Sequence, residues 1–130
     1  MMPYHLFARL VAALAMILFV AYGLATPVLL ALYGIEPVPG ADLMAKRAGC
    51  GFLAFGLIFY LLRDVEQPEI QRGLAQAVAI YMVIVAGTSL LGYLRGSAGS
   101  GILIAFIAEL IFAALAIWVY RSGVGAKKTS

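Results

Sequence analysis

Charge is what this chain has least of. Asp, Glu, Lys and Arg together make up 12% of its 130 residues, against 65% hydrophobic residues, where a soluble domain carries about 25% charged residues. The scarcity is patterned, because the charges fall in short clusters such as Lys46-Arg47 and Arg63-Asp64-Val65-Glu66 between long uncharged runs. That segregation marks membrane spans joined by short loops. The net charge of +3 is small and its basic residues sit at run ends, so it reads as membrane topology and argues against nucleic-acid binding.

Metal and thiol chemistry are equally short of residues. Cys50 is alone, which excludes an internal disulfide and a cysteine-rich metal site. The single histidine, His5, precedes the first apolar run and offers no metal cluster or axial haem ligand inside it. There is no Ser-His-Asp set, no HExxH, no paired aspartates and no glycine-rich phosphate loop ending in lysine. The expectation is a non-enzyme without cofactor or metal.

The apolar runs themselves predict an all-α integral membrane bundle of four transmembrane helices, with spans at about 8–34, 42–62, 70–94 and 100–121 in one domain over 1–122. A flexible cytoplasmic tail is expected over 123–130. The first uncharged run, Leu10 to Ile35, would measure about 39 Å as a continuous helix, more than a hydrocarbon core of about 30 Å. Pro27 supplies a kink, since it lacks an amide proton and its ring clashes with the carbonyl of Gly23. Arg9, this run and Gly23-Leu24-Ala25 also resemble a signal peptide, but the apolar run continues about ten residues further, so an uncleaved span is expected.

GIEPVPGAD then reads as a loop, with Asp42 an expected N-cap for the second helix and Lys46 and Arg47 placed to snorkel at the interface. Gly49, Gly51 and Gly56, with Ala45 and Cys50, give that helix a surface for close packing. Pro68 and Glu69 suit the start of the third helix, and RGSAGSG is a tether in which Ser100 is a candidate cap for the fourth. Arg9, Arg63, Arg72, Arg121, Lys127 and Lys128 against Lys46, Arg47 and Arg95 favour both termini in the cytoplasm.

The fourth run, GSGILIAFIAELIFAALAIWVYR, carries Glu109 near its middle. A carboxylate at that depth costs about 2.5 kcal/mol or more to insert, so it faces protein or trapped water. Gly101, Ala105 and Ala113 share its face at four-residue spacing, a column of small residues that admits another helix. Tyr4, Tyr33, Tyr60, Tyr93 and Tyr120 fall near span ends, with Trp118, as an aromatic belt. Tyr22 and Tyr81 lie deeper, so Glu109, Tyr81 and Tyr22 are expected to form a midplane polar cluster. Its functional reading is a proton or cation site; its structural reading is a protonated acid tying two helices together. Thr88 and Ser89 are expected to bond back to carbonyls one turn earlier, and Gln76 to sit at the interface.

TPVLLALYGIEP, LMAKRAGCGFLAFGLIFYLLRD and the QRG that closes the following loop resemble small bacterial membrane proteins with four spans, filed as domains of unknown function. The resemblance implies the architecture and a bacterial inner membrane, with no activity to carry over. Small multidrug-resistance exporters have a similar length, but their essential glutamate lies in the first helix, and no carboxylate occurs here between Leu10 and Ile35. The leading functional expectation is therefore an accessory or assembly subunit, surrounded by lipid and docked as a homo-oligomer or in a larger membrane complex. The alternative is a small proton- or cation-coupled transporter or channel using Glu109.

Overall fold

The computed structural model describes residues 2–129, with side chains over 2–122. Its helices are α1 (Tyr4–Phe19), a π turn (Val20–Leu24), α2 (Thr26–Tyr33), α3 (Pro39–Leu61), α4 (Pro68–Leu94) and α5 (Ile102–Thr129). Four stretches are long and apolar enough to cross a membrane: Tyr4–Leu24, Pro39–Leu61, Pro68–Leu94 and Ile102–Ser122. The protein is an all-helical transmembrane bundle. The tail expected over 123–130 lies outside the residues whose side chains are described.

The overlong first run resolves into a span and a separate short helix. Ala25 leaves helical geometry (φ −119°, ψ 38°), and its amide reaches back five residues to the Val20 carbonyl at 2.9 Å. The break thus precedes Pro27, which sits in the first turn of α2, where a missing amide proton is harmless. Thr26 covers the other loose end by donating to the Tyr22 carbonyl at 2.6 Å. Relief of the proline clash takes the form of a widened turn and a restart, instead of a bend in one helix.

α3 and α4 each open on a proline after an extended residue, Val38 and Gln67. Asp42 is therefore inside the first turn of α3, paired with Lys46 at 2.8 Å, and does not cap it. α2 ends on Gly34 in the left-handed region (φ 66°), with Ile35 N–H donating to Leu30 and Gly34 N–H to Ala31. Gly96 (φ 76°) closes α4 in the same way, through bonds to Gly92 and Tyr93. Both are the glycine-terminated caps that satisfy orphan helix carbonyls. Ser100 contributes its main-chain carbonyl, to Leu103, at the entry to α5.

Two helix pairs, α1 on α3 and α4 on α5, make the principal packings. Gly49 allows the first crossing, because a Cβ there would lie 3.0 Å from the Gly23 nitrogen, and Gly56 meets the Ala15 methyl. Gly51 has nothing within 4 Å and Cys50 is exposed, so that part of the expected packing face looks outward.

The two ends of the bundle differ. At the end where α1 begins, Phe7 and Phe59 pack edge to face at 0% and 1% exposure, among Ala8, Val11, Ala75, Val78 and Ala116. Tyr4 donates to the Leu62 carbonyl there, and the Arg72 guanidinium donates to the Tyr120 hydroxyl. At the opposite end the core thins to Leu29, Tyr33 and Ile102, with Ala105 beside them. α2 is seated on this open end by a bond from Gly99 N–H to the Tyr33 carbonyl at 2.8 Å. Gly101 faces the Leu32 carbonyl so closely that no side chain fits. The bundle interior is packed at one end and open at the other.

Candidate intramembrane carboxylate site

Glu109 stands where the closed half gives way to the open half. Ala113, one turn further along α5, is in the dry core, while Ala105, one turn earlier, lines open space. Residues four apart share a helix face, so the small-residue column points inward along its length, with the carboxylate at the boundary. Gly101, at the column's start, is the contact for α2.

The hydroxyl of Ser89 on α4 donates to Glu109, lying 3.2 Å from Oε1 and 3.0 Å from Oε2. Ser89 is buried and departs from the expected back-bond, whereas Thr88 does bond back to Ile84 at 2.8 Å. Depth along the two helices is the signal that the sequence holds for this pair, and it does not separate Ser89 from Thr88. In an α4–α5 hairpin, Ser89 lies five residues before Leu94 and Glu109 seven after Ile102, which brings them to about the same depth at ~1.5 Å per residue. Ser89→Ala removes the hydrogen bond that orients the carboxylate. A bond of this kind within a membrane contributes about 0.6–1.7 kcal/mol, so the bundle is expected to lose no more than that in a denaturant titration.

Two open cavities converge on Glu109. One, of about 420 Å³, lies between α3 and α4, runs toward the α4–α5 loop at Ser97 and Ala98, and is lined by Ser89 and Thr88. The other, of about 310 Å³, lies on the α1 side and is lined by Phe52 and Tyr81. Tyr22, Leu29, Tyr33, Val85 and Ala105 belong to both walls. Neither wall contains a lysine, arginine or histidine. Among the described residues Glu109 has no ion-pair partner and no cluster of three His, Cys, Asp or Glu side chains exists.

Scans against protein-family models, curated proteins and solved structures return no match.

Tyr22 and Tyr81 do reach the same cavity as Glu109, but neither hydrogen-bonds to it. The Tyr22 hydroxyl donates to that of Tyr33 at 3.5 Å, a long contact, and its ring meets Phe52 at 5.1 Å between centroids. Tyr81 stacks on Phe55 at 5.7 Å and is 38% exposed. Tyr33, assigned from its position to the interfacial belt, is buried here because α2 folds back over the open end. Tyr22 rides on the π turn, an irregularity that concentrates at functional sites. Gly23 lies beside it and meets Gly49, while Pro27 lies beyond the cavity walls. Lys46 and Arg47 are exposed on the first turns of α3, outside both walls.

Proposed function

We propose that the chain is a small membrane transporter or channel in which Glu109, oriented by Ser89, binds a proton or a cation. The observation that carries this reading is the convergence of two open cavities on a carboxylate without a basic partner. A charge at that depth is stable only when protonated or paired. The hydroxyl of Ser89 is a neutral donor and does neither, so the second member of the pair has to come from outside the protein. Proton and cation then compete for the same two oxygens, which is the elementary requirement for exchange. The titratable groups facing the carboxylate are the phenols of Tyr22, Tyr33 and Tyr81. Acidification therefore weakens cation binding through Glu109 itself.

The charge count supports both termini in the cytoplasm, with the open end of the bundle facing outward. In proteoliposomes, an inward proton gradient is expected to drive cation efflux with the wild-type protein and to leave Glu109→Gln at the rate of empty vesicles. Equal flux with wild type and Glu109→Gln overturns the proposal.

An accessory role in an oligomer or larger complex remains a second reading, favoured by Gly51 and Gly87. Both have nothing within 4 Å and leave room for another helix. A stoichiometric partner co-purifying from native membranes supports it; a solitary monomer there contradicts it.

A further inference from the structure

The walls around Glu109 carry information about which cation fits. Small inorganic cations are held by several oxygens that replace their water, as in carbonyl-lined filters. Here the polar side chains on the two walls are Glu109 and the hydroxyl-bearing Ser89, Thr88, Ser97, Tyr22, Tyr33 and Tyr81, while the remaining side chains are apolar. Among the described residues only the Ser89 hydroxyl hydrogen-bonds to the carboxylate, so dehydration of sodium or potassium at Glu109 would go largely uncompensated.

What the smaller cavity offers in quantity is aromatic surface. Tyr22 from the π turn, Tyr33 from α2, Phe52 from α3 and Tyr81 from α4 all line the space that contains Glu109 of α5. The rings of Tyr22 and Phe52 lie 5.1 Å apart and those of Tyr22 and Tyr33 lie 6.3 Å apart, the latter edge to face. Aromatic faces attract cations through their quadrupoles, most effectively when the cation is weakly hydrated, and groups of such rings recognise quaternary ammonium ions. Cavities of about 310 and 420 Å³ match small-molecule sites, which are mainly apolar with a few placed polar groups. The mouth of the smaller one includes Ile17, Leu32 and Ile104, all exposed on the lipid-facing surface, so an amphiphilic ligand has a route in from the bilayer.

We infer that the cation is an organic ammonium ion with an aromatic or bulky apolar body, its charge on Glu109 and its body among Tyr22, Tyr33, Phe52 and Tyr81. This rests on the cation-site reading above and narrows it to a substrate class. Every spanning element contributes to the site, which explains why the open end is held together by backbone contacts at Gly99 and Gly101 and is not simply collapsed.

The test uses the full chain in nanodiscs with labelled benzyltrimethylammonium as probe. Its uncharged carbon isostere, neopentylbenzene, serves as competitor, and proton release is recorded in parallel on adding benzyltrimethylammonium and, separately, sodium chloride. Saturable binding is expected, with a loss of at least about tenfold in Glu109→Gln, the order expected when a buried charge loses its partner. Phe52→Leu is expected to lose about two- to thirtyfold, the range of one cation–aromatic contact. Neopentylbenzene is expected not to compete at equal concentration. Equal binding by Glu109→Gln, or equal competition by the isostere, overturns the inference and makes the cavity a seat for apolar chains. Glu109-dependent proton release with sodium, without benzyltrimethylammonium binding, overturns the substrate class alone and leaves the cation site standing. Absence of any cation-triggered proton release removes both. If Glu109→Gln does not yield a folded helical protein, Phe52→Leu decides, and unchanged affinity there overturns the inference.

Discussion

Glu109→Leu is expected to leave the bundle more resistant to denaturant than the wild type while abolishing cation-dependent proton release. Holding a carboxylate at this depth costs about 2.5–3.5 kcal/mol on insertion scales. The return within the protein is one hydrogen bond from Ser89, about 0.6–1.7 kcal/mol. Leucine removes the first quantity and forfeits the second, for a net gain of about 1–3 kcal/mol. The stranded Ser89 hydroxyl has a substitute partner one turn back, at the Val85 carbonyl, as Thr88 already uses Ile84. A purely structural glutamate predicts the opposite sign, because its removal would loosen α4 from α5. Unfolding in detergent, followed by helical circular dichroism against denaturant, separates the two: a less stable Glu109→Leu assigns the acid to structure.

Gly101→Ala is expected to do the larger structural damage. The added methyl would enter the space of the Leu32 carbonyl, and backbone cannot step aside as a flexible side chain can. α2 must lift from α5, which also breaks the bond from Gly99 N–H to the Tyr33 carbonyl and withdraws the Tyr33 ring from the cavities. Overpacking of this kind costs about 1–3 kcal/mol, with loss of cation binding as a second consequence. Gly51→Ala is the matched control. Nothing lies within 4 Å of that position, so the substitution is expected to be neutral or to stabilise by about 0.5–1 kcal/mol through helix propensity. Equal behaviour of the two variants would contradict the seating of α2 described above.

The four spans were legible because long uncharged runs leave a bilayer-crossing helix few alternatives. The break in the first run was legible at Pro27 but not its form. The sequence shows where a helical hydrogen bond is lost, while the partner of the freed amide, Val20 for Ala25, depends on how α2 is pulled onto α5. Glu109 was conspicuous for its cost in lipid. Its partner was not, since Ser89 follows Thr88 and both satisfy the usual local back-bond equally well on paper. The same limit applied to Tyr33. Depth along a run assigns an aromatic residue to the interface only while the run is one straight helix, and α2 is not collinear with α1. Gly51 shows the converse: three glycines on one helix suggest one face, yet 49 and 56 share a face and 51 is turned away from it.

Ion exchange at Glu109 requires that water-reachable space extend to the carboxylate. This requirement is tested most directly by thiol accessibility in a Cys50→Ser background. Ala105→Cys is placed on the wall common to both cavities, one turn from Glu109. Ala116→Cys is placed in the closed half, where the native residue is 0% exposed. A small cationic thiosulfonate applied to both sides of open membranes is expected to modify Ala105→Cys rapidly and Ala116→Cys not at all, and benzyltrimethylammonium is expected to protect the first. If Ala105→Cys proves as inert as Ala116→Cys, Glu109 lies in a sealed interior and is a structural tie between α4 and α5.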